Sequence, residues 1–309
     1  MRTLCSNLII CIATLFLSCA GGNPRDIKPE HLTTGMKHIK KGNELYHKGC
    51  YKDSLESYFR AHEQFAASDQ LNGVAMSLNN IGNVYRIIGD RTSALLYFDA
   101  AYKIYAHLQD NEGMMDVLSN KAATLLDDDK LASAEALLKS ADGLASSYHL
   151  QSSSLNRNKA ILYIKKKEYH QAEDILNQLF KNLDQDSLTE SAAIHVTMGN
   201  LLVETQHYRE AIVFFEKALT TDRQSGFHKG IADVLAAIGS AYHNLEEYQL
   251  SSNYYQRSLK IYALIANQPK VNEIMERLNE IAPKAEWDMT LTRYFVERWL
   301  AGEAEGPCE

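Results

Sequence analysis

From Gly42 the chain reads GNELYHKGCYKDSLESYFRAHEQF, in which apolar residues recur every three or four positions, stop at a short polar turn and then resume. Two amphipathic helices joined back to back have this pattern. It returns at Gly82, Ala122, Ala160, Gly199 and Gly239. A period of about 40 residues predicts a stack of helix pairs, because a single pair cannot bury its own apolar face. Each pair has a small residue just past its turn, at Ser54, Ala94, Ala134, Ala172, Ala211 and Ser251. Most have another one seven positions on, at Ala61, Ala101, Ala141, Ala218 and Ser258, with Leu179 in the fourth unit. Small residues at facing positions let antiparallel helices approach at the near end of the usual ~8–10 Å. The bulkier Tyr58, Phe98, Leu138, Leu176, Phe215 and Tyr255 are then expected to fill the space between units.

The pattern changes at both ends. After Pro269 helical periodicity continues without the repeat, with Ile274, Leu278 and Ile281 on one face and a second stripe of Leu291, Phe295 and Trp299. A terminal repeat exposes an interface that needs covering, so residues 269–309 are expected to cap the stack. The alternative is a docking surface presented by Trp287 and Trp299. At the other end, MRTLCSNLIICIATLFLSCAGGNP places one cation, Arg2, before an apolar run too short to span a bilayer of ~30 Å. This is the layout of a secretory signal. Residues 20–34 are rich in proline and glycine and are expected to form a tether, with the folded body starting near Gly35.

Composition narrows the function. With 32 Lys+Arg against 39 Asp+Glu the net charge is −7, and no basic block interrupts that balance, so no nucleic-acid partner is expected. The 11 histidines are scattered, and the phosphate-loop, dinucleotide, nucleophile-elbow and zinc-protease motifs are missing, so neither an enzyme nor a cofactor is expected. The acidic run Asp127-Asp128-Asp129 lies at an inter-helix turn, where acids are expected to cap the next helix rather than hold a metal. Among the five cysteines, Cys5 and Cys11 lie in the signal, while Cys50 and Cys308 are far apart and in no paired motif. Two spare thiols are the expectation there.

The repeat resembles the tetratricopeptide repeat in its small residues and in the aromatic Tyr51, Tyr169, Tyr208 and Tyr248 at the start of the second helix. Its longer period is similar to that of kinesin light chains and of bacterial regulators that bind peptides. The resemblance implies an all-α, right-handed superhelical α-solenoid of about six helix pairs over residues 35–268, with repeats starting near 35, 75, 115, 153, 192 and 232, followed by capping helices. It also implies a concave groove lined by first-helix residues: Met36, Ile39, Asn43, Tyr46 and His47 in repeat one, and Met76, Asn79, Asn80, Asn83 and Arg86 in repeat two. Asp116, Ser119, Asn120 and Asp127 follow in repeat three, Arg157, Asn158 and Lys165 in repeat four, then Val196, Asn200, Val203, Ala236 and Ser240. An asparagine amide can grip a peptide N–H and C=O together. Asn43, Asn79, Asn80, Asn83, Arg86, Asn120, Arg157 and Asn158 are therefore the candidate peptide-binding residues; the alternative is that the amides bond to one another between helices. The carboxylate clamp of chaperone-binding relatives is not reproduced, because Ile39, Asn43, Asn80, Asp116 and Asn120 stand at its positions without a cation.

The stretch Leu15-Phe16-Leu17-Ser18-Cys19 resembles a bacterial lipoprotein processing site. That likeness implies a signal peptide over residues 1–18, acylation of Cys19, for example with palmitate, and, with Ala20 next, an outer-membrane lipoprotein facing the periplasm. The combined expectation is a lipid-anchored periplasmic scaffold that binds a protein or peptide segment and touches the membrane only through its N-terminal lipid. The alternative is a soluble peptide-sensing regulatory module.

Overall fold

The computed structural model describes residues 30–184, 187–304 and 306–308. Among them the secondary structure is entirely helical. Six antiparallel pairs follow one another: α1 (Glu30–Lys48) with α2 (Tyr51–Ala67), α3 (Leu71–Ile87) with α4 (Arg91–Leu108), and α5 (Asn111–Asp127) with α6 (Leu131–Tyr148). Then come α7 (Ser153–Lys165) with α8 (Tyr169–Lys181), α9 (Leu188–Glu204) with α10 (Tyr208–Ser225), and α11 (His228–Asn244) with α12 (Tyr248–Leu264). Two more helices, α13 (Gln268–Ile281) and α14 (Thr290–Leu300), pack on α12. The chain is an all-α superhelical solenoid, and each repeat leans chiefly on its neighbours.

Packing chemistry explains why the repeat is strict where it is. Every small residue just past the turn, from Ser54 to Ser251, is completely buried, as are Ala61, Ala101, Ala141, Ala218 and Ser258. The two serines past the turn satisfy themselves locally, Ser54 Oγ donating to Gly42 O at 2.9 Å and Ser251 Oγ to Gly239 O at 2.8 Å. One first-helix position also varies together with its partner on the second helix. Gly42, Gly82, Gly199 and Gly239 each lie against the ring of Tyr58, Phe98, Phe215 and Tyr255. Where that position is Ala122 or Ala160, the residue at the ring position is Leu138 or Leu176. A Cβ on Gly82 would lie 2.7 Å from the Phe98 ring, so glycine is required for the aromatic residue to fit, whereas leucine leaves room for a methyl.

Five helix starts and the buried face of the last helix differ from the sequence expectation. Helix α1 begins at Glu30, inside the segment expected to be tether. The first helices of repeats two, three, five and six begin a turn upstream of the expected starts, so Gly73, Gly113 and Gly230 lie in the first turns of α3, α5 and α11. They are small because the preceding second helix presses on them through Phe65, Tyr105 and Asp222. At the C-terminus Ile274, Leu278 and Ile281 are buried as expected. Helix α14, however, seats Val296, leaving Leu291 66% and Phe295 43% exposed, so the Leu291, Phe295 and Trp299 stripe is not its buried face. The signal, Cys19 and most of the expected tether lie outside the described residues.

Candidate functional site

The small, apolar face of each first helix is spent on packing, which leaves the opposite face of α1, α3, α5, α7, α9 and α11 to line the inside of the solenoid. The inside closes on itself, because α1 lies against α11. Tyr46 stacks on Phe227 with centroids 6.4 Å apart, and His47 meets the same ring edge-on at 5.4 Å. At the turn after α1, Gly49 has φ of +86° and a Cβ there would lie 2.9 Å from Ile265, so conformation and closeness both call for glycine.

Beside that turn Cys50 is disulfide-bonded to Cys308, with Cα atoms 5.4 Å apart across a sequence separation of 258. The expectation of two spare thiols is therefore corrected. The pairing depends on the solenoid curling far enough to bring repeat one to the tail, which no local spacing encodes.

Groove-facing side chains of repeats two to four are stitched to one another. Asn120 Nδ2 donates to Asn79 Oδ1 at 3.0 Å, linking α5 to α3. The buried Asn158 donates to Ser119 O at 3.1 Å and to Ser119 Oγ at 2.9 Å, linking α7 to α5. Asn43 accepts from Tyr58 Oη at 2.6 Å within repeat one. The acidic run is part of the same stitching: Asp127 pairs with Arg86 at 2.9 Å, Asp128 with Arg91, and Asp129 with Lys165 at 2.5 Å. Residue Lys130, not one of the acids, occupies the N-cap of α6, which corrects the capping expectation. Charge partners on the flanking repeats outcompete a cap because all three cations come within reach.

Two openings remain inside the ring. The smaller, about 320 Å³, is lined by Asn43, Tyr46, His47, Tyr58, Asn80 and Asn83. The larger, about 820 Å³, is bounded by Arg86, Asp127 and Lys165 from one side, by Val196, Asn200, Ala236 and Ser240 from the other, and by Lys270, Glu273 and Arg277 of the cap. Of the eight candidate residues, Asn43, Asn80 and Asn83 thus share the smaller opening and Arg86 borders the larger, while Asn79, Asn120 and Asn158 are engaged in bonds between helices. The larger opening also takes Lys229, Asp233 and Tyr262, which groove positions inferred from repeats one to four do not reveal.

Charge is distributed unevenly in this space. Each acid lining the larger opening already holds a cation: Asp127 holds Arg86, Asp233 holds Lys229, and Glu273 holds Lys270 at 2.8 Å. Arg277 lines it with no ion pair among the described residues. Arg157 also has no hydrogen bond or ion pair among them. The Arg157 side chain is half-buried: burial, then the repulsion of Arg86, pushes its pKa down to about 10, while Tyr46, Asp127 and Glu190 pull it up. It therefore stays charged near neutrality. On the far side Asp222 is buried and its pKa is pushed up to about 7 by desolvation and by Asp233, with Lys229 opposing. Burial, reinforced by Glu112 and Asp110, raises Asp116 to about 6. Among the described residues no group of histidine, cysteine, aspartate and glutamate could hold a metal, and no helix is long and apolar enough to cross a membrane.

Comparison with known proteins identifies the repeat. The tetratricopeptide repeat family matches residues 190–263 and 74–108, so the chain contains tetratricopeptide repeats. A kinesin light chain-related protein of Arabidopsis thaliana is 30% identical over 96 residues, which is 30% of this chain; the match spans only 16% of the plant protein's length. Among solved structures, the Rap conjugation gene regulator of plasmid pLS20, determined in complex with a Phr peptide, superimposes with a TM-score of 0.64 at 16% identity, covering 92% of this chain and 79% of that one. A signal-transduction ATPase with a tetratricopeptide repeat sensor from Pyrococcus horikoshii gives 0.54 at 14% identity, covering 87% of this chain and 44% of that one. At these identities the likeness is one of fold.

Proposed function

We propose that this protein is a lipid-anchored adaptor of the bacterial envelope whose ring-shaped groove takes an acidic peptide segment of a partner protein. The observation that carries the groove part is the state of its charges: Arg277 lines the larger opening without an ion pair and Arg157 makes none, feeling Asp127 and Glu190 only at longer range, whereas every acid lining that opening is already paired. A guanidinium without an ion-pair partner favours a carboxylate ligand, because its charge-assisted, bidentate bonds are still open. The amides of Asn80 and Asn83, on the smaller opening, then hold the ligand's backbone.

The anchor rests on the Ser18-Cys19 site and its flanking apolar run. The Cys50–Cys308 disulfide supports an oxidising compartment independently, since such bonds persist outside the cytosol. Fractionation of cells carrying wild-type protein or Cys19→Ala tests it. Loss of membrane association in the variant, with folding intact, supports the anchor, and wild-type protein recovered from the cytosol overturns it. The second reading, a soluble regulator that senses a peptide, draws support from the likeness over most of the chain to a regulator solved with a bound peptide. Crosslinked capture from envelopes, with wild type compared against Arg157→Gln, then identifies the partner segment and its charge.

A further inference from the structure

We propose that the Cys50–Cys308 disulfide is a thiol-exchange site whose state decides whether the ring is shut. The inference stands on the seam between the first repeat and the sixth and does not depend on the charge of the ligand.

That seam is not built like the rest of the molecule. Elsewhere adjoining repeats share apolar cores, but the buried cluster containing Ile39, Tyr51 and Phe65 ends on the near side of the seam. The cluster containing Tyr262, Ile265 and Leu278 begins on the far side. What crosses is the Tyr46 and His47 contact with Phe227, the approach of Gly49 to Ile265, the proximity of Tyr51 to Asp233 and Tyr262, and the disulfide. Among the described residues, the buried His47 Nδ1, Tyr51 Oη and His228 Nδ1 of the seam region have no hydrogen-bond partner within the protein. Unsatisfied buried groups oppose closure, and opening the seam would hydrate them. A contact that is partly apolar and partly unsatisfied needs a covalent tie to stay closed, and the tie lies at its edge.

The bond is also accessible from one side. Cys50 is only 4% exposed, whereas Cys308 is exposed on the tail beyond α14. A dithiol donor of the envelope would therefore attack Cys308 Sγ through its thiolate, forming a mixed disulfide and releasing Cys50 as a thiolate that takes up a proton. The donor's second thiol then displaces Cys308. The donor ends as a disulfide, and the protein gains two electrons and two protons as two thiols. With the tie cut, α1 and α2 can swing away from α11, and the groove opens along its side rather than only at its mouths. Reoxidation would lock an occupant in.

Hydrogen–deuterium exchange on the full chain, oxidised or reduced with dithiothreitol, with thiol alkylation to confirm the redox state, tests the proposal. Exchange should quicken by about tenfold or more over residues 46–51 and 227–233, leave α3 to α10 unchanged, and return to its starting rate after reoxidation. Cys308→Ser should show the open pattern without reductant. Unchanged exchange at the seam after verified reduction would overturn the proposal, because the seam would then hold by itself. Loss of protection throughout the chain would also overturn it, because the bond would then be a staple for the whole fold.

Discussion

The two arms of the ring use the same packing and different linings. In repeats two to four, groove side chains bond across repeats: Asn79 with Asn120, Ser119 with Asn158, Arg86 with Asp127. In repeats five and six and the cap, groove residues such as Val196, Ala236 and Ser240 make no such bridge, and the ion pairs that line the larger opening there, Lys229 with Asp233 and Lys270 with Glu273, stay within one helix, the pair across repeats, Arg209 with Glu247, lying outside that lining. A wall whose polar groups are satisfied by its own neighbours has little left for a ligand. The bridged groups of the first arm therefore serve as a stiff wall, while Asn80, Asn83 and Arg157, which make no such bridge, join the second arm and Arg277 as the receiving side.

If the arms share their packing, overfilling either should hurt alike. Gly82→Leu in the first arm and Gly199→Leu in the second should each cost about 1–3 kcal/mol in urea unfolding, since each drives a side chain into Phe98 or Phe215. Converting the pair to the repeat-three type, Gly82→Ala with Phe98→Leu, should cost less than the sum of its single changes, because the leucine vacates the space the methyl enters.

The next effect is larger in the second arm, where Asp222 is raised to about 7, than in the first, where Asp116 is raised to about 6. Asp222 in the folded protein holds its proton up to about pH 7, while in the unfolded chain it releases it near ~3.9. Its contribution is thus most favourable below that lower value and is lost as pH rises through about 7. Asp222→Asn should flatten this decline and raise stability at pH 8 relative to pH 4.5 by about 1–3 kcal/mol, measured by thermal unfolding at both values.

Smaller effects separate wall from receiver. Asn158→Ala removes two donated bonds to Ser119 and should destabilise by about 1 kcal/mol while leaving peptide affinity unchanged, which calorimetry and unfolding together will show. Smallest for stability, Asn80→Ala with Asn83→Ala should stay within about 0.5 kcal/mol of wild type and lower affinity only. A loss of stability without a loss of binding would move these two amides into the wall.

The packing was legible in the sequence because it depends on positions that recur: Ala94, Ala134 and Ala211 sit where the 40-residue period puts them. The groove was legible only as a face. The positions that line it do not repeat in kind, so the sequence places Asn79 and Asn80 side by side without showing that one bonds to Asn120 and the other borders an opening. The seam was not legible, because small rotations between repeats accumulate until Tyr46 meets Phe227, and Cys50 meets Cys308, across most of the chain. Helix α14 misled because its stripe of Leu291, Phe295 and Trp299 is periodic, yet the fold seats Val296 with Trp299 half-buried beside it and leaves Leu291 and Phe295 exposed.

The most direct test is calorimetric titration of the oxidised full chain with a glutamate-rich twelve-residue peptide and with its counterpart carrying lysine at each glutamate. The acidic peptide should bind, and Arg157→Gln with Arg277→Gln should weaken it by about tenfold or more, as should raising the salt. Equal or tighter binding of the lysine peptide, or undiminished binding by the double variant, would contradict the assignment of the ring as a receptor for acidic segments.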